Sequence, residues 1–282
     1  MSQFSGALFR AFMVAVLVAT PALMLPNVSG DTAQIVTLLA LVAGAVVLVE
    51  YSAACPGLIE FRDARPYNRM RFILLFFMVL LLSILARIDV VPSQFSLMLA
   101  ATAQSFGHVL DFAWSPVRML VQALPGDLPQ AHLQAVQGGA ALAYLMGLFS
   151  IAAVIVATLV GYWPQRRESF NVWINLPTFD PTAGQDVVQR LERDAIVNIV
   201  LGIVLPFFLP VVLRLSALMI QPLTLESPLA FVWGIALWAF VPANLVMRGI
   251  AMHQVARLIR EKRRQIADDE AAIPRPERSV YS

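Results

Sequence analysis

Six apolar runs of about 20 residues each, roughly 8–26, 33–50, 72–90, 138–162, 196–220 and 228–248, constrain this chain more than anything else in it. A helix needs about 20 largely apolar residues to cross the ~30 Å hydrocarbon core of a bilayer. Within that core only a structure that satisfies its own backbone hydrogen bonds is tolerated. Hydrophobic residues make up 59% of the 282 and charged ones 13%, against roughly 45–50% and about 25% in soluble domains. That leaves too little polar surface to coat a water-soluble globule. The sequence therefore predicts an all-α, polytopic membrane bundle of six transmembrane helices, with residues 1–248 forming the membrane domain and 249–282 a helical tail. Pro21 breaks the small-x-small pattern of a signal-cleavage site, so the first run is read as a retained span.

Orientation follows from the placement of the basic residues. Six spans divide the connections between two sides, and 17 of the 20 Lys and Arg residues fall on one of them. The other side holds only Arg87, Arg118 and Arg214. By the positive-inside rule both termini lie in the cytoplasm, and the expected location is a bacterial inner membrane. The densest cluster, Arg62, Arg65, Arg69 and Arg71 in "EFRDARPYNRMRF", is explained as a topology signal, and anionic lipid headgroups are its candidate ligands.

The segment 93–125 is long enough to suggest a seventh span. Counting it as one would move the arginine-rich loop 163–195 and the tail to the opposite side, so it is read as an interfacial, periplasmic segment. Phe95, Met98, Leu99, Phe106, Val109 and Leu110 form an apolar face opposite Gln94, Gln104, Ser105, His108 and Asp111, the pattern of a helix lying along a membrane surface. A second stripe, Val117, Leu120, Val121 and Leu124, is expected to continue along the same surface.

No catalytic motif stands out: there is no Gly-rich phosphate loop, no His-Glu-x-x-His and no Gly-x-Ser-x-Gly. The histidines, His108, His132 and His253, lie outside the predicted spans, and Cys55 is the only cysteine, so neither a cofactor nor a metal is expected. Three features remain as candidates for packing or partners. Gly139, Ala143 and Gly147 repeat every fourth residue and would let a neighbouring helix approach closely. Pro206, Pro210 and Pro242 interrupt the last two spans and are read as structural kinks, because each frees a carbonyl that lipid cannot satisfy. The loop 163–195 carries Phe170, Trp173 and Phe179 in an aromatic-rich run unlike a disordered segment, which makes it a candidate docking surface.

The function most compatible with these features is that of a non-catalytic accessory, assembly or scaffold subunit of a membrane complex. A transporter or channel for an uncharged or amphipathic solute is the alternative, and a lipid-modifying enzyme a third reading. The expected partners are the lipid bilayer and other membrane proteins, not nucleic acid. Topology can be checked directly. Reporters active only outside the cytoplasm should work when fused near Asp31, Asp127 and Glu226 and fail near Asp63, Asp180 and Asp269; activity at Asp180 would overturn the six-span arrangement.

Overall fold

In the computed structural model the described residues are 3–26, 28–54, 57–62, 65–162, 175–177, 179, 186–217, 219 and 222–272. They form eight helices and no strand: α1 (Gln3–Met24), α2 (Gly30–Ser52), α3 (Arg65–Ala86), α4 (Gln94–Val109), α5 (Pro116–Ala123), α6 (Gln130–Leu159), α7 (Val187–Ser216) and α8 (Pro228–Ala272). Six of these, all but α4 and α5, are long and apolar enough to cross a membrane. The chain is thus a helical membrane bundle, as the apolar runs predict.

Local chemistry sets several boundaries. Ser29 caps α2 by accepting from the Thr32 amide at 3.2 Å, and Ser93 and Ser96 cap α4 reciprocally, each satisfying amides that a helix start leaves unpaired. Pro116 opens α5 at a position that needs no amide donor. The helix α3 starts at Arg65, earlier than the hydropathy pattern predicts, because arginines can occupy the first turns of a span while their heads reach water. The last helix runs without a break from span into tail. At 45 residues and 1.5 Å per residue it is about 67 Å long, more than twice the hydrocarbon thickness.

The helix α8 is the element around which the others assemble. It packs against α7, α6 and α3, and touches α1. The helices α6 and α8 run parallel in one continuous register: His132 meets Thr224, Tyr144 meets Trp238 and Ser150 meets Met247. The small-residue stripe of α6 lies on this seam. A Cβ on Gly147 would sit 3.3 Å from the Ala243 Cβ, and one on Gly139 would lie 2.9 Å from the Phe231 ring; Ala143 between them is buried. Gly138, one residue around the helix, serves α4 instead, with its missing Cβ 3.2 Å from the Ala103 carbonyl carbon. Adjacent glycines thus admit two different helices.

The antiparallel pair α7 and α8 is tighter still. A Cβ on Gly202 would fall 2.6 Å from the Pro242 carbonyl oxygen, and one on Gly249 would fall 2.6 Å from that of Ala195. The buried stripe of α7 is Val188, Leu191, Ala195, Asn198, Gly202, Pro206 and Pro210. Both of its prolines therefore lie on the face turned to protein, and Pro242 of α8 is buried too. The hairpin of α1 and α2 is more peripheral. Gly44 lets α2 approach the Ala11 carbonyl, yet most of α2 is exposed, a surface suited to lipid.

The connection between α3 and α6 differs from expectation. The face of α4 that packs on protein is Ser96, Leu99, Ala103 and Gly107, a narrow small-residue stripe against α6, while Phe95, Met98 and Val109 are exposed. The stripe on α5 is also turned inward: Val117, Leu120 and Leu124 are buried in the main core with Val136 and Leu225. An amphipathic pattern locates an apolar face but does not say whether lipid or another helix will cover it.

Gly202→Ala tests the α7–α8 seam with a single methyl. Helix propensity favours Ala by about 1 kcal/mol, but the methyl must overlap a backbone carbonyl, and overpacking costs ~1–3 kcal/mol. The variant should melt at lower temperature in detergent, whereas Gly126→Ala, which meets nothing within 4 Å, should change stability by less than about 0.5 kcal/mol.

Candidate functional site

Charged and polar side chains concentrate at the arginine-rich end of the bundle, where the α2–α3 connection meets α7 and α8. The connection is organised first by Glu50 near the end of α2. Its carboxylate accepts from the amides of Gly57, Leu58 and Ile59 at 2.8–3.2 Å, folding the chain back over the helix end. Arg62 then donates to the carbonyls of Ala53 (2.6 Å) and Glu50 (3.3 Å), satisfying acceptors that the end of a helix leaves open.

Between these two lies Phe61, fully buried and at φ 55°, a left-handed conformation that costs a side-chain-bearing residue roughly 1–2 kcal/mol. The surroundings hold it there. Its amide donates to the Asn175 carbonyl at 2.6 Å, and Asn68 Nδ2 donates to its carbonyl at 3.0 Å and to that of Glu60 at 2.9 Å. Its ring packs on Tyr67 at 4.7 Å.

This fixed turn delivers Glu60 to Arg248. The guanidinium donates from Nε to Oε2 at 2.5 Å and from Nη2 to Oε1 at 2.7 Å, while Nη1 donates to Asn198 Oδ1 at 2.9 Å. Asn198 Nδ2 in turn donates to the Asp194 carbonyl at 2.7 Å. One planar fork therefore links the α2–α3 turn, α7 and α8, with side chains only 13% (Glu60) and 27% (Arg248) exposed. Charge-assisted, bidentate geometry of this kind is the stronger class of hydrogen bond.

Farther along, Arg260 pairs with Glu192 and Arg263 donates to Asp186 at 2.6 Å. These contacts stitch the extension of α8 to the first turns of α7. The Arg263 hydrogen bond holds the Asp186 carboxyl below its ordinary value. A carboxylate lowered in the folded state contributes above its unfolded pKa of about 3.9 and loses that contribution as pH falls through the lower folded value. This clasp therefore loosens only as pH falls below the ordinary carboxylate value.

The residues singled out from sequence have separate places here. Arg62 is engaged with the end of α2. Arg71 donates to Asn68 Oδ1 at 3.2 Å and lies over the Tyr67 ring. Arg69 is exposed, and the side chain of Arg65 lies outside the described residues. Arg62, Arg69 and Arg71 do not converge on one point among the described contacts. Phe179 is buried in the core with Leu176, and the Arg190 guanidinium sits 4.6 Å from the centre of its ring. Phe170 and Trp173, like Asp180, lie outside the described residues.

At the opposite end, His132 Nε2 is 2.8 Å from the Thr224 carbonyl and Asp111 is 3.7 Å from Arg118. No group of three or more His, Cys, Asp or Glu with metal-binding geometry occurs among the described residues. Reading the sequence span by span missed Glu60 and Arg248, because their significance lies in a pairing across 188 positions. Asn198, like Asn244 an amide inside an apolar span, is the member of this network that stands out in the sequence.

The arrangement acts mechanically, fixing three elements at one point. Arg248→Gln removes both donors from the Glu60 carboxylate and should destabilise the protein by about 1.5–3 kcal/mol, the range for hydrogen bonds to charged groups. In a double-mutant cycle measured by thermal unfolding it should couple to Glu60→Gln, while combination with Asp269→Asn on the exposed arm should be additive. Comparison of the chain with protein-family models, with curated proteins and with solved structures finds no match in any of the three.

Proposed function

We propose that this protein is a non-catalytic accessory or scaffold subunit of a larger complex in a bacterial cytoplasmic membrane, and that α8 is the arm through which it engages its partner. The observation that carries this reading is how α8 leaves the bundle. Past Arg248 it is braced by α7, with Val188, Leu191 and Ala195 buried on one helix and Ala251, Met252, Val255 and Ala256 on the other. The Glu192–Arg260 and Asp186–Arg263 pairs add to this bracing. At and past its end, residues 262–270 are exposed while still helical, Arg263 still held by Asp186, with Lys262, Arg263 and Arg264 followed by Asp268, Asp269 and Glu270. An exposed helix that is polar apart from Ile266 and Ala267 suits a bridge between domains. A rigid, charge-segregated rod held out from a membrane bundle offers a partner a preorganised surface, lowering the ordering cost of association.

The transporter reading needs its kinked segments to face a solute path. Burial of Pro206, Pro210 and Pro242 on protein-facing surfaces favours the scaffold reading. The enzyme reading needs the arginine loop free to hold headgroups, and Arg62 and Arg71 are engaged with neighbours inside the chain.

Mild extraction from the native membrane tests the proposal. The full chain should migrate in an assembly containing a second polypeptide, and a chain truncated after Gln265 should insert normally yet leave that assembly. A full chain that runs only with copies of itself, or a truncated one that keeps every companion, contradicts it.

A further inference from the structure

We propose that Arg10 and Arg71, linked through Tyr51 and Asn68 where α1, α2 and α3 meet, bind an anionic phosphate group at the arginine-rich end of the bundle. The helix α1 packs on both α2 and α3, and each of the three supplies one side chain to this corner. From α1, the Arg10 guanidinium lies 4.7 Å from the centre of the Tyr51 ring. From α2, the Tyr51 hydroxyl is hydrogen-bonded to Asn68, and Arg10 and Arg71 are both close enough to act on it electrostatically. From α3, Arg71 Nη1 donates to Asn68 Oδ1 at 3.2 Å.

Asn68 fixes the arrangement because all its hydrogen-bonding capacity is used. Its Nδ2 donates to the carbonyls of Glu60 and Phe61, which leaves Oδ1 to accept from both Tyr51 and Arg71. The strained turn at Phe61 therefore holds Asn68, and Asn68 holds the other two. A ligand arriving here meets side chains that are already ordered, which lowers the cost of binding.

The charges of this corner are not balanced. Arg10 donates to the Gly6 carbonyl at 2.8 Å and Arg71 to the Asn68 amide oxygen, both neutral acceptors, so neither guanidinium has a carboxylate partner among the described residues. Glu50 and Glu60 are committed elsewhere, to the amides of residues 57–59 and to Arg248. The Arg71 Nε–H, shielded from solvent, has no acceptor, and a polar group left in that state in a folded protein calls for one. Two guanidiniums offer forked donors that match phosphate oxygens. Tyr51 is the last residue but one of α2, and the apolar run of α3 begins directly after Arg71. This is where spans meet the headgroup layer, and phosphate is the anion that layer supplies. A lipid headgroup and free phosphate share that chemistry.

Native mass spectrometry of the full chain released from nanodiscs of phosphatidylglycerol and phosphatidylcholine tests the site. The parent should retain phosphatidylglycerol preferentially, and Arg10→Gln and Arg71→Gln should each reduce that preference about fivefold. Arg193→Gln, which removes a cation already paired with Asp194, should match the parent. Arg10 is exposed, so Arg10→Gln carries the test should Arg71→Gln destabilise the chain. Inorganic phosphate separates the two sources. In neutral detergent, a melting temperature of the parent that rises with phosphate over chloride at equal ionic strength, and does not in the double variant, assigns the site to free phosphate; lipid preference without that rise assigns it to the headgroup. A parent with neither response overturns the proposal. So does an Arg10→Gln variant that keeps both at parental strength, or an Arg193→Gln variant that loses as much lipid preference as Arg10→Gln.

Discussion

In a bilayer, apolar helices gain little by leaving lipid for one another, because lipid tails are as apolar as leucine. What holds them is close approach. In this protein that approach is concentrated on α8, which meets α7 with a glycine on each side of the seam, Gly202 against Pro242 and Gly249 against Ala195, and α6 along Gly139, Ala143 and Gly147. Two of these contacts leave no room for a methyl group. The register of the whole bundle follows, since a helix locked to neighbours at two points can neither slide nor rotate.

The seam also explains how the chain tolerates its prolines. A proline in a helix leaves the carbonyl four residues earlier without its usual donor, which exposure to lipid would penalise. Pro206 and Pro210 lie one turn apart on the same buried stripe as Gly202, so the interruption is turned toward protein. At the arginine-rich end, glycine contacts give way to polar ones. The Glu60–Arg248–Asn198 network and the two ion pairs beyond it carry the α7–α8 pairing past the apolar region. Two kinds of chemistry thus act in series along one pair of helices, packing where water is absent and directed hydrogen bonds where it is near.

Much of this is legible in the sequence, and the physical reason is length. Six apolar runs admit few alternatives, and the helical continuation of the last run past Arg248 could be read from the absence of any breaker before Pro274. Boundaries were less legible. Hydropathy places the start of α3 too late because it counts Arg69 and Arg71 as polar, although an arginine stem can cover apolar surface while its head reaches water. Partners were least legible. The apolar residues of α5 read equally well as a lipid-facing stripe, and only the fold shows Val117 and Leu120 buried in protein. The Glu60–Arg248 pair was hidden for the same reason, since nothing local to either residue names the other.

The claim on which the rest stands is that α6 and α8 run parallel with Gly147 beside Ala243, whose Cβ positions are 3.3 Å apart. This is within a few tenths of an ångström of disulfide spacing. Cysteines at Gly147 and Ala243, in a background with Cys55→Ser, should join under mild oxidation, so that proteolysis of the 163–186 connection leaves two fragments linked until reductant is added. A cysteine at the exposed Val241 in place of Ala243 should not join. Fragments that separate without reductant in the first pair, or that stay linked in the second, would contradict the arrangement of the bundle described above.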